Sequence, residues 1–270
     1  MEKEIISTPL HNKRRGIFIF LCLILILVSP AFSETYGKTL YKNLSKRLSR
    51  DREDYSYLSD REFANFREVR TTGIKPGKLF RSSSPVKTWG NRNSIADKEA
   101  EKSGVKTFIN LADSNQSMRE HKNFYETYYS RQNIIGLKLS TKFFTNDFKQ
   151  GLLRGIKFMI ENEPPYLIHC DLGKDRAGFV CSLIECLMGA GYEEIINDYM
   201  ASFYNYFGIV EGTKEYEYIS ENEIKNFLAK AFNVKTIENQ NLEILAERYF
   251  LNLGLSVNEI SELKRILSTY

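Results

Sequence analysis

Short apolar segments alternate with helical patterns through most of this chain, and the alternation constrains its fold. Strands are predicted over residues 78–81, 105–111, 134–139 and 166–169, with helical patterns between them over residues 94–103, 116–129 and 147–161. Strands that are joined through helices run parallel and bury both faces of the sheet. We therefore predict an α/β fold with a mainly parallel central sheet flanked by helices, which binds ligands at the carboxyl ends of its strands.

The C-terminal part of the chain is predicted to be a helical extension of the sheet domain. Helical patterns cover residues 192–203, 221–231, 242–253 and 256–268. Ser256 and Glu259 have the spacing of a capping box at the start of the last helix. Aromatic residues crowd positions 199–207, either as core or as a wall of a pocket. We expect residues 63–270 to form one domain with these helices included.

The first 33 residues have the pattern of a signal peptide. Basic residues at 13–15 precede an apolar stretch at 16–28, and residues 31–33 form a small-x-small cleavage site. The apolar stretch is shorter than the ~20 residues that span a bilayer. We expect export to the periplasm or beyond, with cleavage near Ser33 and no membrane span afterwards. The alternative is an uncleaved segment that anchors the chain to a membrane.

Residues 34–62 are rich in Lys, Arg, Ser, Tyr and Asp and have no sustained apolar period. We predict a polar N-terminal arm there, either mobile or packed on the surface as a lead-in to the domain. Loss of residues 1–33 would remove four basic and two acidic residues and change the net charge from +4 to +2. Such a mild charge predicts no nucleic-acid partner.

A cysteine and an arginine six residues apart follow the last predicted strand. Cys170 comes directly after the strand, and Arg176 lies where a helical pattern begins. A thiol at a helix N-terminus beside a positive charge can be a thiolate at neutral pH, and it then needs no separate base to act as a nucleophile. A planar guanidinium holds two oxygens of a phosphoryl group. Cys170 and Arg176 are therefore predicted to be catalytic residues for attack on phosphorus.

The residues around this pair predict a phosphate-binding loop. Five residues between Cys170 and Arg176 are enough to turn backbone N–H groups inward around an anion at the start of the helix. Gly173 permits tight curvature, and Gly178 lets the helix begin close to the sheet. The residues predicted to bind substrate are Asp171, Leu172, Gly173, Lys174, Ala177 and Gly178.

The other cysteines predict neither a disulfide framework nor a metal site. Beyond residue 33 the chain has Cys170, Cys181 and Cys186, an odd number without framework spacing. Cys181 and Cys186 fall on the helix after the loop and are predicted core residues. Cys and His residues nowhere have zinc-ligand spacing, so we expect no metal and no cofactor.

The segment from His169 to Gly178 resembles the signature loop of the protein-tyrosine phosphatase superfamily. Its Gly-Lys-Asp-Arg core is similar to that of bacterial tyrosine and dual-specificity phosphatases, some of which also act on phosphoinositides. Leu79–Ser82, residues 105–111 and residues 249–267 resemble further elements of those enzymes. The resemblance implies a cysteine-phosphatase-like fold from about residue 65 to residue 270.

The resemblance implies a phosphatase that hydrolyses phosphate monoesters through a phosphocysteine intermediate, with phosphotyrosine or dual specificity, and the signal pattern predicts that this enzyme is exported. Its partner would be a phosphorylated protein, and a phosphoinositide or inositol phosphate is the alternative substrate. Ala177 departs from the family pattern, in which Ser or Thr directly after the arginine helps the sulfur to leave. Ala177 therefore favours slow turnover, or a pseudophosphatase that binds phosphate without hydrolysis. The sequence predicts no oligomeric state.

Three aspartates are candidates to give the leaving oxygen its proton. Asp175 is the first choice, because it lies inside the loop and some superfamily members use an aspartate there; the alternative is a carboxylate that braces the loop. Asp113 follows a strand end, and Asp147 is the third candidate, although it also suits a helix cap. Lys174 either suits substrates with several phosphates or faces solvent. His169 is expected to fix the loop by hydrogen bonding and to help hold the thiolate.

Overall fold

The computed structural model describes residues 30–268, with side chains from residue 34. The chain divides into two units, residues 1–47 and residues 48–270. The described part of the first unit is one helix, α1 (Pro30–Arg47). The predicted signal segment lies outside the described residues up to residue 29, and residues 30–33 belong to α1. Within residues 30–268, no helix combines the length and the apolar character that a membrane span needs.

The second unit begins with a packed segment. A 3₁₀ turn (Glu53–Tyr55) and a short helix, α2 (Asp60–Phe63), bury the aromatic rings at their ends in one cluster with Leu58. Arg92 stacks on this cluster, with its guanidinium 4.6 Å from the ring centroid of Tyr55 and 3.9 Å from that of Phe63. Of the two alternatives predicted for residues 34–62, the packed lead-in agrees with this cluster, whereas the helix α1 was not predicted because its sequence has no sustained apolar period.

Five strands form one sheet: β1 (Arg67–Glu68), β2 (Leu79–Ser82), β3 (Thr107–Asn110), β4 (Asn133–Gly136) and β5 (Tyr166–His169). Their order in space is β1-β2-β5-β3-β4. β1 pairs antiparallel with β2, and the other pairings are parallel, which confirms the predicted mainly parallel sheet. β5 lies in the middle and is buried along its whole length, as its apolar sequence predicts for a strand covered on both faces.

Helices flank the sheet and continue to the C-terminus. They are α3 (Asn93–Lys102), α4 (Asn146–Glu161), α5 (Asp175–Leu187), α6 (Tyr192–Phe207), α7 (Lys214–Ile219), α8 (Asn226–Phe232), α9 (Leu242–Leu253) and α10 (Val257–Ser268). The helices after α5 confirm the predicted helical extension. Ser256 and Glu259 form the predicted capping box at α10, with Ser256 N donating to the Glu259 carboxylate at 2.7 Å and Glu259 N donating to Ser256 Oγ at 3.2 Å.

One face of the sheet carries a continuous apolar core. Phe80, Leu167 and Phe108 are register neighbours in β2, β5 and β3 and are buried together. Ala96 and Ala100 of α3 belong to the same cluster. Small residues on α3 let the helix approach the three larger side chains closely, which excludes water from this face.

Two predicted helices are not continuous. Residues 116–129 form three 3₁₀ turns, at Ser117–Glu120, Phe124–Glu126 and Tyr129–Arg131. Asn123 has a left-handed backbone with φ 63°, which a helix cannot continue through. The helix predicted over residues 221–231 begins earlier, as α7, and a π-helical turn at Ser220–Lys225 separates α7 from α8.

The predicted cap of α4 differs from the structure, and Arg92 precedes α3 without a capping side chain. Thr145 caps α4, because its extended backbone lets Oγ1 accept a hydrogen bond from Phe148 N at 3.4 Å. Asp147 already lies inside the first turn of α4 and is therefore not the cap.

The carboxyl ends of β2 to β5 meet at one edge of the sheet. β3 and β4 end at Asn110 and Gly136, so the residues beyond them that were predicted as strand lie in loops at this edge. Lys138, with φ 48°, turns the chain out of the strand direction. The loops that meet at this edge are residues 83–92, 111–115, 137–145 and 170–174.

Candidate active site

The loop between β5 and α5 turns its carbonyl groups away from its centre. The carbonyl oxygens of residues 171–174 all accept hydrogen bonds from outside the loop. The Asp171 carbonyl accepts from Ser84 N at 3.1 Å. The Leu172 carbonyl accepts from the Tyr206 hydroxyl at 2.7 Å and from Asn65 Nδ2 at 3.0 Å. The carbonyls of the next two residues, 173 and 174, accept from Arg81 Nη2 at 2.9 and 3.2 Å. Four consecutive carbonyls are thus held by the surrounding protein.

The outward carbonyls determine where the N–H groups of the loop point. In a trans peptide the N–H of the next residue points away from the carbonyl, so the N–H groups of residues 172–175 face the inside of the loop. They lie at the N-terminus of α5, where the helix dipole adds positive potential. Cys170, 2% exposed, begins the same loop. The loop therefore has the geometry of an anion-binding nest beside a cysteine.

Two glycines make this geometry possible. Gly173 has φ 68°, and a β-carbon there would lie 2.1 Å from the carbonyl oxygen of Ser82. A β-carbon at Gly178 would lie 2.8 Å from the Tyr199 ring and 2.9 Å from Arg81 Nη2. Gly173 therefore allows the loop to curve against β2, and Gly178 leaves room for the guanidinium that holds the loop carbonyls.

Arg176 keeps a charged guanidinium with an unused donor. Its Nη1 donates to the Leu139 carbonyl at 2.9 Å, and its Nη2 contacts the Asp171 carboxylate. Its Nε is buried and has no hydrogen-bond partner among the described residues. Burial disfavours the charge, but the negative charges of Cys170 and Asp171 outweigh burial and raise the pKa of Arg176. An N–H of this kind is available to a phosphoryl oxygen.

A buried ion-pair network holds Arg81 behind the loop. Arg81 is fully buried, and its Nη1 contacts the Asp198 carboxylate on α6. Arg67 Nε lies 2.8 Å from the same carboxylate. Burial alone would raise the pKa of Asp198, but the two guanidinium groups lower it, so the carboxylate stays ionised. The sequence analysis missed Arg67 and Asp198; an arginine inside a buried strand was the available signal, because it requires an acidic partner.

Lys87 joins two loops at the edge of the site and was also missed. Its Nζ contacts the Asp171 carboxylate and lies 3.3 Å from Asp113 Oδ1. His121 Nε2 lies 3.4 Å from that same oxygen, and Asn110 Nδ2 donates to Asp113 Oδ2 at 3.2 Å. Burial opposes the charge on Lys87, but hydrogen bonding to Asp171 raises its pKa. Because 84 residues separate Lys87 from Asp171, no local pattern could indicate the contact.

Two of the three candidate acids lie at the loop. Asp175 is the first residue of α5, pairs with Lys174 and has a side chain that is 40% exposed. Asp113, with a side chain that is 7% exposed, is connected to the loop through Lys87. No contact within the described part of the chain connects Asp147 to the loop. The structure therefore places Asp175 beside the loop and connects Asp113 to it through Lys87 and Asp171, whereas no such contact joins Asp147 to the loop among the described residues.

His169 is buried at the end of β5. Its Nε2 lies 3.2 Å from the Tyr129 hydroxyl, and burial lowers its pKa to about 4. The ring is therefore neutral at neutral pH, and its contact with Tyr129 anchors the strand end that carries Cys170. A neutral ring supplies no positive charge to a thiolate, so that charge has to come from Arg176 and the loop N–H groups.

The aromatic run on α6 lies behind the loop as core. Tyr199, Phe203 and Tyr206 are each at most 1% exposed. Lys174 Nζ lies 4.4 Å from the Phe203 ring centroid, and the lysine side chain is only 8% exposed, so it does not face solvent.

Tyr199 donates to Glu223 Oε2 at 3.0 Å. Glu223 lies in the π-helical turn, and burial raises its pKa to about 8.

The chain is similar to a known protein family and to solved phosphatase structures. The profile of a family described as "Tyrosine phosphatase family" matches residues 60–269. No curated protein matches the chain. The core catalytic domain of the PP-IP phosphatase Siw14 from S. cerevisiae, in complex with citrate, is 19% identical with a TM-score of 0.37 over 64% of this chain and 95% of that one. Another structure of the Siw14 catalytic core is 21% identical, with a TM-score of 0.36 over 62% and 90% of the respective chains.

Proposed function

The chain belongs to the tyrosine phosphatase family and is a phosphoric monoester hydrolase, and we propose that it acts on phosphotyrosine, or with dual specificity, through a phosphocysteine intermediate. One observation carries the proposal. The loop that begins with Cys170 turns four consecutive N–H groups inward and ends at Arg176, whose buried Nε has no hydrogen-bond partner in residues 30–268. A nucleophile, an anion nest and a guanidinium donor therefore share one short loop.

The reaction would proceed in two displacements at phosphorus. The Cys170 thiolate forms a bond to phosphorus while the bond from phosphorus to the substrate oxygen breaks, and Asp175 or Asp113 gives the leaving oxygen a proton. The loop N–H groups and Arg176 hold the other three oxygens as charge develops on them. Water then attacks the phosphocysteine, the phosphorus–sulfur bond breaks, and inorganic phosphate and the thiolate are released.

Steady-state hydrolysis of a small aryl phosphate tests the proposal. Cys170→Ser should abolish hydrolysis and leave the fold and phosphate binding largely intact, because a serine hydroxyl is similar in size but is not ionised at neutral pH. Cys186→Ser, on α5 and buried, is the matched control and should keep the activity. Wild-type activity should be inhibited by vanadate and insensitive to a chelator. Activity of Cys170→Ser above a few per cent of wild type would exclude the phosphocysteine mechanism.

The alanine at position 177 favours a second candidate function, which is phosphate binding without turnover. Ala177 is fully buried next to Arg176 and has no hydroxyl to assist departure of the sulfur. In that case the wild-type chain would bind vanadate but release no alcohol from any phosphate ester, even in the first turnover. The alternative substrates, phosphoinositides and inositol phosphates, are tested by assay beside phosphotyrosine peptides.

We also propose that the chain is exported. The basic, apolar and small-x-small pattern of residues 1–33 supports this proposal. N-terminal sequencing of the chain after expression in a bacterial host should find Glu34 as the first residue in the periplasmic or extracellular fraction. An intact N-terminus in the membrane fraction would instead support an uncleaved anchor.

A further inference from the structure

Three cations at the mouth of the phosphate-binding loop are each paired with a carboxylate, and the further cation Arg81, which contacts the loop from behind, is paired with Asp198. Arg176 contacts Asp171, Lys87 contacts Asp171 and lies 3.3 Å from Asp113, and Lys174 contacts Asp175. Three cations therefore face three carboxylates. The site has no surplus of positive charge at its mouth before Cys170 or a substrate adds negative charge.

Two of the three carboxylates, those of Asp171 and Asp175, lie nearer to solvent than the cations, whereas Asp113 is buried. The side chains of Asp171 and Asp175 are 41% and 40% exposed, whereas those of Lys174, Arg176 and Lys87 are 8%, 12% and 29% exposed. An approaching substrate therefore meets negative charge at the rim and positive charge only at the bottom of the loop. Such an arrangement attracts one phosphate that enters fully and repels a second one that stays at the rim.

The charges behind the loop favour the same single phosphate. Arg67 and Arg81 share Asp198, which leaves one positive charge in excess. Arg81 is fully buried and donates to the loop carbonyls, so its charge acts through the loop on the anion inside it. A second phosphate outside the loop would gain little from this buried charge.

We propose that Asp171 is a specificity residue that restricts the site to esters with a single phosphate group, and that it discriminates against polyphosphorylated substrates. In the free enzyme its carboxylate occupies Arg176 Nη2 and Lys87 Nζ. An entering phosphate takes over Arg176, and Asp171 stays paired with Lys87 beside the mouth of the loop, where it repels further phosphates. This inference rests on the proposed phosphatase function, and it assigns the substrate class to aryl monophosphates such as phosphotyrosine.

The test compares two probes, a small aryl monophosphate as substrate and inositol hexakisphosphate as a competitive inhibitor of its hydrolysis. Asp171→Asn removes one negative charge at the rim, so its inhibition constant for the hexakisphosphate, relative to KM for the aryl phosphate, should fall about tenfold or more. Glu262→Gln on α10 is the control and also removes one negative charge. Glu262 lies near Tyr166, at the amino end of β5 and therefore at the edge of the sheet opposite the loop, so this variant should leave the ratio unchanged. An equal ratio in wild type and Asp171→Asn would overturn the inference.

The outcomes separate this inference from the proposed function. If wild type hydrolyses the aryl phosphate and the ratio does not change in Asp171→Asn, the specificity role of Asp171 is wrong and the phosphatase function stands. If wild type does not hydrolyse the aryl phosphate, the proposed function is wrong. In that case, equilibrium binding of the hexakisphosphate is compared between the single variant Cys170→Ser and the double variant that also carries Asp171→Asn. The comparison tests whether the negative charge of Asp171 weakens binding of the hexakisphosphate. Equal affinity of these two variants would then overturn the role of Asp171 as well.

Discussion

The two aspartates at the loop differ in the cations that surround them. Asp175 pairs with Lys174 and is 40% exposed, whereas Asp113 lies between Lys87 and His121 and is 7% exposed. A proton donor has to come within a hydrogen bond of the leaving oxygen, and the more exposed carboxyl of Asp175 can do so at the mouth of the loop. We therefore keep Asp175 as the first choice for the acid.

The leaving group reveals which aspartate is the acid. Asp175→Asn should lower kcat for alkyl phosphates by about 100-fold or more, and far less for aryl phosphates with good leaving groups, because only the alkyl alcohol needs a proton to depart. Asp113→Asn is the matched variant, and kcat for both substrate classes is the measurement. An equal loss for both classes in Asp175→Asn would show that Asp175 braces the loop, and selective loss in Asp113→Asn would identify the acid.

Ala177 should make the second displacement slow. Without a hydroxyl beside the sulfur, phosphocysteine hydrolysis should lag behind its formation, and rapid mixing should show a burst of released alcohol. Ala177→Ser should shrink the burst and raise kcat by up to ~10-fold, if one hydrogen bond to the charged sulfur contributes about 1.5 kcal/mol. Ala177→Gly is the control without a hydroxyl. The absence of both the burst and the gain would mean that another group supports sulfur departure.

At the scale of secondary-structure elements, the loop takes its shape from its neighbours. Arg81 on β2, Tyr206 on α6 and Asn65 before β1 hold three of its carbonyls. Each donor comes from a different element, so the inward N–H groups exist only when the sheet and α6 are assembled. The free energy that shapes the anion nest is therefore spread over contacts outside the loop.

Tyr206→Phe tests this dependence of the loop on α6. The change keeps the ring, on which Arg92 stacks at 4.6 Å, and removes only the hydrogen bond to the Leu172 carbonyl. The free energy of unfolding should fall by about 1 kcal/mol, and vanadate affinity should fall about threefold or more, because the carbonyl is less firmly turned outward. Tyr204→Phe, exposed on the same helix, is the control for both measurements. Unchanged vanadate affinity in Tyr206→Phe would show that the remaining donors hold the loop alone.

At the scale of the whole molecule, the buried His169 and the half-buried Glu223 make the free energy of unfolding depend on pH in opposite directions. Burial lowers the pKa of His169 from 6.5 to about 4, so between these pH values the unfolded chain binds a proton that the folded chain does not. The free energy of unfolding therefore falls as pH falls through that range. Burial raises the pKa of Glu223 from 4.5 to about 8, so the folded chain binds a proton that the unfolded chain has released. The contribution of Glu223 is therefore present below pH 4.5 and is lost as pH rises to about 8.

Glu223→Gln should remove one part of this pH dependence. Glutamine keeps an oxygen that accepts from the Tyr199 hydroxyl but cannot ionise. The free energy of unfolding of the variant minus that of wild type should therefore rise between pH 5 and pH 8, by about 1 kcal/mol or more. Urea denaturation at several pH values measures this difference, with Glu217→Gln, exposed on α7, as the control. A difference that stays constant with pH would show that Glu223 is ionised in the folded chain throughout.

Local patterns were enough to predict the parallel sheet, the helical extension, and the loop that joins Cys170 to Arg176, because apolar periodicity and glycine placement are local properties of the chain. β5 and α9 have their predicted bounds for this reason. The replacement of the predicted helix at residues 116–129 by 3₁₀ turns was visible only in the folded chain. The tertiary structure alone also brought Lys87 and Arg81 to the loop and paired each cation there with a carboxylate. These contacts join residues far apart in sequence, and their free energy comes from burial and charge pairing that exist only after the sheet has assembled.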